Sequence, residues 1–413
     1  MMVKISRYIL VFIGILAASV ALPELYWTIF EQVPGTPNVY YSCTLNDFIM
    51  LRPGDNGVTR QDTKGNTYTL DEFEQHLPMM FFRQLMTDGT MPDSIHGVEM
   101  DPTAINKARS YFRYTTKDML SPRPKLWPMF ESESGRVNLA MPDDYFRITR
   151  KMEFIDAATN EVNRGKSEKF TRALEEQDFL FPARLIAGIP TTRKSCDEGY
   201  FVKDSRGDLF HVKMIKGEPY VARIDIPDPM DILHIECVDL RSKEYYCYLF
   251  TRHSGVFVVM EGVYHLQRIP LEGFNPFEHE LKINCDMFNK TFAMEGEDFL
   301  KVVAVDDMYE VVDTYEETWD GIFKRPDGKM FASIFPFELE LRIAKTGYVD
   351  FYFTRSPGFA WLIVNLIFVG LAVWLILRRR GNLMKNIPDL LIVLVTGVFG
   401  FIGTQIFPNK FYD

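Results

Sequence analysis

The chain has 413 residues, 46 of them basic and 56 acidic, and a formal net charge of −10 at pH 7. Residues 31–357 hold 39 basic against 53 acidic side chains, a net −14, which argues against nucleic acid or an anionic lipid surface as the main partner of that segment. Five cysteines, Cys43, Cys196, Cys237, Cys247 and Cys285, have no close Cys-x-x-Cys spacing. Disulfides are therefore optional here rather than the basis of the fold, with Cys237 and Cys247 placed to face each other across a hairpin.

The first element is an apolar stretch from Tyr8 to Phe30; two more follow near the end, Gly358–Leu377 and Pro388–Phe407. Each approaches the roughly 20 residues that cross a bilayer core as a helix. The spacing thus predicts three transmembrane helices: an N-terminal one within residues 1–30 and a C-terminal hairpin over 358–407, bracketing a large domain at 31–357. Ser19-Val20-Ala21 also resembles a signal-peptide cleavage site, but Leu22, Leu25, Tyr26, Trp27, Ile29 and Phe30 carry the apolar run past it. Lys4 and Arg7 flank the first stretch, and Arg378, Arg379, Arg380 and Lys385 lie between the last two. By the positive-inside rule these flanks are cytoplasmic. The large domain is then extracytoplasmic, periplasmic behind an inner membrane, and the last residues, Pro408–Asp413, return outside.

Within the large domain, Val39–Leu51 and Val137–Phe154 read as strands, while Leu70–Met86, Pro102–Phe112 and Lys166–Gln177 show helical spacing. Thr69 with Glu72 forms a helix-start signal. From residue 200 onward the pattern repeats: Phe201–Met214 with Pro219–Ile226, Glu244–Met260 with Val263–Ile269, and Thr291–Val305 with Met308–Tyr315. These alternating β-branched and aromatic runs, joined by turn residues, are hairpins. Their second strands start 44 and 45 residues apart. Two further runs, Met330–Phe335 and Phe337–Ile343, lead into Tyr348–Phe353. A period near 45 residues over 200–357 matches a β-propeller blade, so the expected class is mainly β, a propeller-like domain with helical insertions; evenly spaced hairpins of a β-sandwich are the alternative.

Chemistry is sparsely marked. The chain has no Gly-rich phosphate loop, Gly-x-Ser-x-Gly elbow or His-Glu-x-x-His, and its seven histidines are dispersed, so no cofactor or metal is expected. Met79, Met80, Met86, Met91 and Met100 mix with Phe81, Phe82 and Leu85, a pattern of core packing more than of Cu(I) ligation. Arg193, Lys194, Asp197 and Glu198 form a compact charged group read as a contact surface or a solvated loop. Thr396, Gly400 and Thr404 recur every four residues on the third stretch, and Asn365 is polar within the second. They mark helix packing, against the other helix of the hairpin or against a permease.

Several segments carry a family resemblance: Arg60–Glu74, Phe146–Asp156, Thr159–Asn163 and Gly188–His211. Across nearly the whole chain they resemble an uncharacterised family of bacterial membrane-anchored proteins encoded beside ATP-binding-cassette (ABC) transporter components. The resemblance implies a non-enzymatic accessory subunit of an ABC-type transport system in the cytoplasmic membrane, with a permease, an ATPase and the lipid bilayer as partners and the outer domain serving docking or ligand presentation. The alternatives are a hydrolase with carboxylates in a propeller channel and a sensor or scaffold for the cell envelope.

Overall fold

The computed structural model describes residues 2–30, 35–54, 57–136, 138–227, 230–343 and 347–409. The expected boundary at residue 31, the strand start at Val137 and the final residues 410–413 lie outside them. Two compact units emerge: Gly35–Glu317, and Met1–Pro34 together with Thr318–Asp413.

The chain starts with a long helix, α1 (Met2–Phe30). The larger unit then opens on an antiparallel meander of β1 (Asn38–Ser42), β2 (Asp47–Gly54) and β3 (Gly57–Asp62). Two helices follow, α2 (Leu70–His76) and α3 (Pro78–Asp88). The spacing over Leu70–Met86 suggested a single helix; Pro78 divides it, because a proline has no N–H to donate and disfavours helical backbone in the residue before it. The Thr69–Glu72 capping box forms as the sequence indicates. After a two-residue hairpin, β4 (Ser94–Ile95) and β5 (Val98–Glu99), comes α4 (Pro102–Ala108), capped by Asp101. This helix is shorter than the Pro102–Phe112 spacing suggested, because Arg109 turns extended and the chain continues as β6 (Ser110–Tyr114). Next are α5 (Thr116–Leu120), a sheet of β7 (Trp127–Pro128), β8 (Asp144–Ile148) and β9 (Met152–Asp156), and α6 (Arg164–Glu175).

Three larger antiparallel sheets follow in succession. The first runs β10 (Leu185–Gly188), β11 (Tyr200–Lys203), β12 (Leu209–Ile215), β13 (Glu218–Ile224). The second runs β14 (Ile232–Cys237), β15 (Tyr245–Thr251), β16 (Val256–Met260), β17 (Leu266–Arg268). The third is built from β18 (Glu280–Cys285), β19 (Lys290–Glu295), β20 (Phe299–Val305) and β21 (Val311–Thr318), with β6 added beside β18. The unit is therefore mainly β, made of several small sheets with intervening helices, and no sheet among the described residues closes on itself.

Packing explains why the central strands are apolar throughout. All seven residues of β15 are buried: Tyr245, Tyr248 and Phe250 enter one core with Val256 and Phe292, while Tyr246, Cys247 and Leu249 enter another with Leu209 and Val259. Strict alternation would separate odd from even residues. A bulge between Tyr245 and Cys247 shifts the parity. On β11 and β12, Tyr200, Val202, Phe210 and Val212 likewise face a core with Phe154 and Phe170, while Phe201 and Leu209 face the opposite one. Cys237 and Cys247 are register partners, and all five cysteines are free thiols.

The smaller unit gathers α1 with α7 (Pro326–Ile334), a hairpin of β22 (Phe337–Ile343) and β23 (Val349–Arg355), α8 (Trp361–Arg378), α9 (Ile387–Thr396) and α10 (Val398–Ile406). Met330–Phe335, read as a strand run, is mostly helix, started by Pro326 at its first turn. Two helices, Lys4–Phe30 and Trp361–Arg378, are long and apolar enough to cross a membrane.

The stretch 388–407 is not a third such helix. It breaks at Gly397, whose φ of 59° and ψ of −128° belong to glycine, and a Cβ there would lie 2.1 Å from the Asn365 Oδ1. Its two halves fold back on each other, and both ends converge on Arg7. The Arg7 guanidinium donates to Asp389 Oδ1 and Oδ2 at 2.9 and 2.6 Å, and its Nε donates to the Phe407 carbonyl at 2.8 Å. Beside them the Asn409 amide donates to Asn386 Oδ1 at 3.1 Å. A segment whose start and finish meet at one point enters and leaves by the same face, so the expected return of the C-terminus to the far side does not follow. Irregular backbone of this kind survives in an apolar surround only where protein covers it; Gly397, Phe399, Gly400 and Gly403 are all buried.

Candidate functional site

The larger unit contains a cavity of 1010 Å³. β18 supplies one wall: Leu281 and Ile283 point into the core, so by alternation Lys282 and Asn284 face the opening. β6 lies alongside in antiparallel register, Tyr111 opposite Asn284 and Phe112 opposite Ile283. Because α4 stops at Ala108 and turns directly into this strand, Arg109 is delivered to the rim at the helix–strand junction. His76, the last residue of α2, and Tyr40 and Tyr41 of β1 close another side. The loop after β14 contributes Asp239 and Arg241; it is pinned by Ser195, whose backbone N–H and hydroxyl both donate to the Asp239 carboxylate at 2.8 and 2.5 Å.

Burial shifts several titratable groups on these walls towards their neutral forms. Burial pushes the Cys43 thiol up to about 12 and the Cys285 thiol up to about 11. Burial also raises the Asp286 carboxyl above its usual range, although the N–H groups of Phe288 and Asn289 donate to it at 2.8 and 2.9 Å. The Tyr245 and Tyr248 hydroxyls, bonded to each other at 2.5 Å, are pushed well above the phenol range by burial. Lys282 is neutralised by Glu295 at 3.0 Å. Arg109 and Arg241 are different: neither has a carboxylate within ion-pair distance among the described residues. Burial, then the neighbouring Arg83, pull the Arg109 guanidinium below its usual value against the opposing pull of Asp286, and it lies over the Phe82 ring at 5.5 Å. Two exposed guanidiniums with no carboxylate within ion-pair distance among the described residues, one of them over the Phe82 ring, can bind an anion that carries an apolar or ring-shaped body.

The charged group singled out from sequence lies elsewhere and is divided. Lys194 and Asp197 are 8% and 3% exposed, form an ion pair, and complete their valences internally. Lys194 also donates to the Ile189 carbonyl at 2.7 Å and sits over Phe130 at 4.2 Å, while Asp197 accepts from the Ser132 hydroxyl at 2.6 Å. Glu198 pairs with Lys213 at 2.5 Å and Lys243 at 3.4 Å; burial raises its pKa, but those lysines outweigh burial and hold the carboxyl below its usual range. Arg193 is exposed.

The packing residues are divided too. Asn365 is fully buried and donates to the Leu394 carbonyl at 2.8 Å. The break at Gly397 puts Thr396 on α9 and leaves Gly400 and Thr404 on α10, so the four-residue repeat does not make one face. Thr396 and Thr404 bond their own helices through the Ile392 and Phe401 carbonyls. It is Gly403 that meets another helix: its Cβ would lie 3.2 Å from the Val11 carbonyl of α1. The methionine-rich segment forms a core of Met79, Phe82, Ile95, Met100 and Ile105. No group of three or more His, Cys, Asp or Glu side chains is placed to hold a metal ion among the described residues.

Arg109, Arg241, Asn284 and Asp286 carried no signal in the sequence. They come from three different segments, and the β6–β18 pairing is what brings Arg109 beside Asn284 and Asp286. A family model described as "Domain of unknown function (DUF4857)" matches residues 38–305, which include every residue of the cavity lining but Pro37. No curated protein matches the chain. Among solved structures the chain is similar to one titled "Dihydro-heme d1 dehydrogenase NirN in complex with DHE", at 13% identity and a TM-score of 0.22. The match covers 56% of this chain and 57% of that one; at that TM-score no argument passes from it to this fold or its chemistry.

Proposed function

The chain belongs to the family described as a domain of unknown function (DUF4857), and we propose that its members' large domain binds and presents a small anionic ligand as the accessory subunit of an ABC-type transport system. The cavity carries this reading: 1010 Å³ in a segment of net charge −14, with Arg109 and Arg241 lacking carboxylate partners among the described residues. An acidic surround makes two guanidiniums at a cavity selective, since it repels anions everywhere else. Anchoring in the cytoplasmic membrane is supported by the helices Lys4–Phe30 and Trp361–Arg378, and a position outside the cytoplasm by the arginines at 378–380. The partners in this proposal are a permease, an ATPase and the bilayer.

A blade-like, radial arrangement of the sheets belongs to the same proposal. In its support, β13, β17 and β21 each end a four-strand meander, and successive sheets share cores face to face. The test uses the full chain in mild detergent, titrated with glucose 6-phosphate and, as the uncharged control, glucose. Saturable binding of the phosphate ester alone, lost in Arg109→Gln/Arg241→Gln, supports the reading. Equal binding of both sugars, or an unaffected double variant, refutes it. Failure of a permease and ATPase to copurify after crosslinking would remove the transporter assignment and leave the binding cavity standing.

A further inference from the structure

The β22–β23 hairpin turns the usual amphipathic arrangement around. Directly opposed residues share a face, and the register pairs Phe337 with Arg355, Leu339 with Phe353, Leu341 with Phe351 and Ile343 with Val349. That face is apolar but for one cation, and it is the exposed one: Ile343 is 74%, Phe351 66% and Phe353 65% accessible. On the other face Glu338, Arg342, Asp350 and Tyr352 are half-exposed, and Glu340 and Thr354 are exposed. Strands that turn hydrocarbon outward and charge inward are out of place in water.

Where the hairpin meets the helices it forms one side of a groove of 650 Å³, together with Val11, Phe12 and Ile15 of α1 and Leu391 and Val395 of α9. The side-chain hydroxyls there are already engaged: Ser19 donates to Leu16 and Thr396 to Ile392 in their own helices, and Tyr8 bonds the Arg7–Asp389 pair. The occupant must be hydrocarbon. α1 itself continues the apolar surface, with Ile9, Phe12 and Ile13 more than half exposed on a helix long enough to cross a membrane.

The single cation fixes which hydrocarbon. Arg355 stands opposite Phe337, a groove residue, so it marks one end of the apolar face. Its guanidinium lies 5.5 Å from the Phe359 ring and 5.9 Å from the Trp361 ring at the start of α8, and has no carboxylate within ion-pair distance among the described residues. Aromatic rings at a span end and a free cation are features of the headgroup level of a bilayer.

We propose that the hairpin and its groove hold a phospholipid of the surrounding bilayer, one acyl chain lying between the hairpin, α1 and α9 and the headgroup phosphate on Arg355. A partner helix would fill the groove without needing the cation. This inference shares only membrane anchoring with the proposed function.

The experiment uses the full chain in nanodiscs containing a trace of phosphatidylglycerol with a diazirine in its acyl chain. Irradiation is expected to label peptides within 337–355 and 8–19. Arg355→Gln should lower labelling about fivefold, the effect of one cation near a lipid surface, while Arg355→Lys retains it. Phe353→Asn should lower labelling with Arg355 intact, and thermal melts of all variants should match wild type, separating lost lipid from lost fold. Labelling indifferent to Arg355→Gln, confined to other segments, or suppressed by inorganic phosphate alone overturns the proposal. So does release of the chain from membranes by alkaline carbonate, which tests anchoring separately.

Discussion

The ion pair between Arg7 and Asp389 is the sharpest place to test the folded-back C-terminal stretch. Both residues are 7% exposed, and their side chains tie positions 382 apart in the chain through two hydrogen bonds, with a third from Arg7 to Phe407. Arg7→Met leaves the Asp389 carboxylate buried and uncompensated, a loss of about 3–5 kcal/mol. For a unit of this size that lowers the midpoint of thermal unfolding by roughly 10 °C. Asp389→Leu strands the guanidinium and should cost about the same. The double variant Arg7→Met/Asp389→Leu removes both charges, so it should cost far less than the sum of the singles, with coupling of about 2 kcal/mol or more. It still lacks the bond to Phe407, and so should not fully recover wild-type stability. Thermal melts of detergent-solubilised protein, read by size exclusion and by protease release of a C-terminal tag, complete the cycle. Single-variant losses that simply add, with coupling under about 0.5 kcal/mol, would refute the pairing and with it the convergence of both ends on Arg7.

What the sequence disclosed followed local physics. The capping box at Thr69, the methionine core and the terminal strands of each sheet are written in short-range patterns, and the outer strands near 219, 263 and 308 recur as β13, β17 and β21. The opening strands β10, β14 and β18 were missed for physical reasons: β10 has only four residues, β14 carries a register shift between Ile232 and His234, and β18 interleaves Glu280, Lys282 and Asn284 with its core residues. The stretch 388–407 is as apolar as a spanning helix, and what redirects it is a carboxylate at 389 seeking an arginine near the other terminus. No window of sequence contains both. The cavity was illegible for the same reason, since Arg109 looks like a solvated helix end until β6 docks on β18.

Three further outcomes follow from the same contacts. Gly397→Ala should destabilise the smaller unit by about 1–3 kcal/mol, because its Cβ meets the Asn365 Oδ1; Asn365→Ala should recover part of that in melts of the double variant, and no recovery would place the strain elsewhere. Cysteines placed at Asn409 and at Arg380 should react with an impermeant maleimide from the same side of sealed vesicles; labelling from opposite sides would restore a full third crossing. The last concerns His211, fully buried, stacked on Phe201 at 4.3 Å and bonded to the Glu198 carbonyl at 2.5 Å and the Tyr264 hydroxyl at 2.9 Å. Burial pulls its pKa from 6.5 down to about 4. Between those values the unfolded chain binds a proton that the folded chain refuses, so this contribution is intact above pH 6.5 and is lost as pH falls towards 4. The slope is about 1.4 kcal/mol per pH unit, on the order of 3 kcal/mol in all. Denaturant unfolding of wild type and His211→Asn at pH 7, 6 and 5 reads the slope directly: the variant is weaker throughout but loses less per unit, and parallel slopes would mean that His211 takes up its proton in the folded protein.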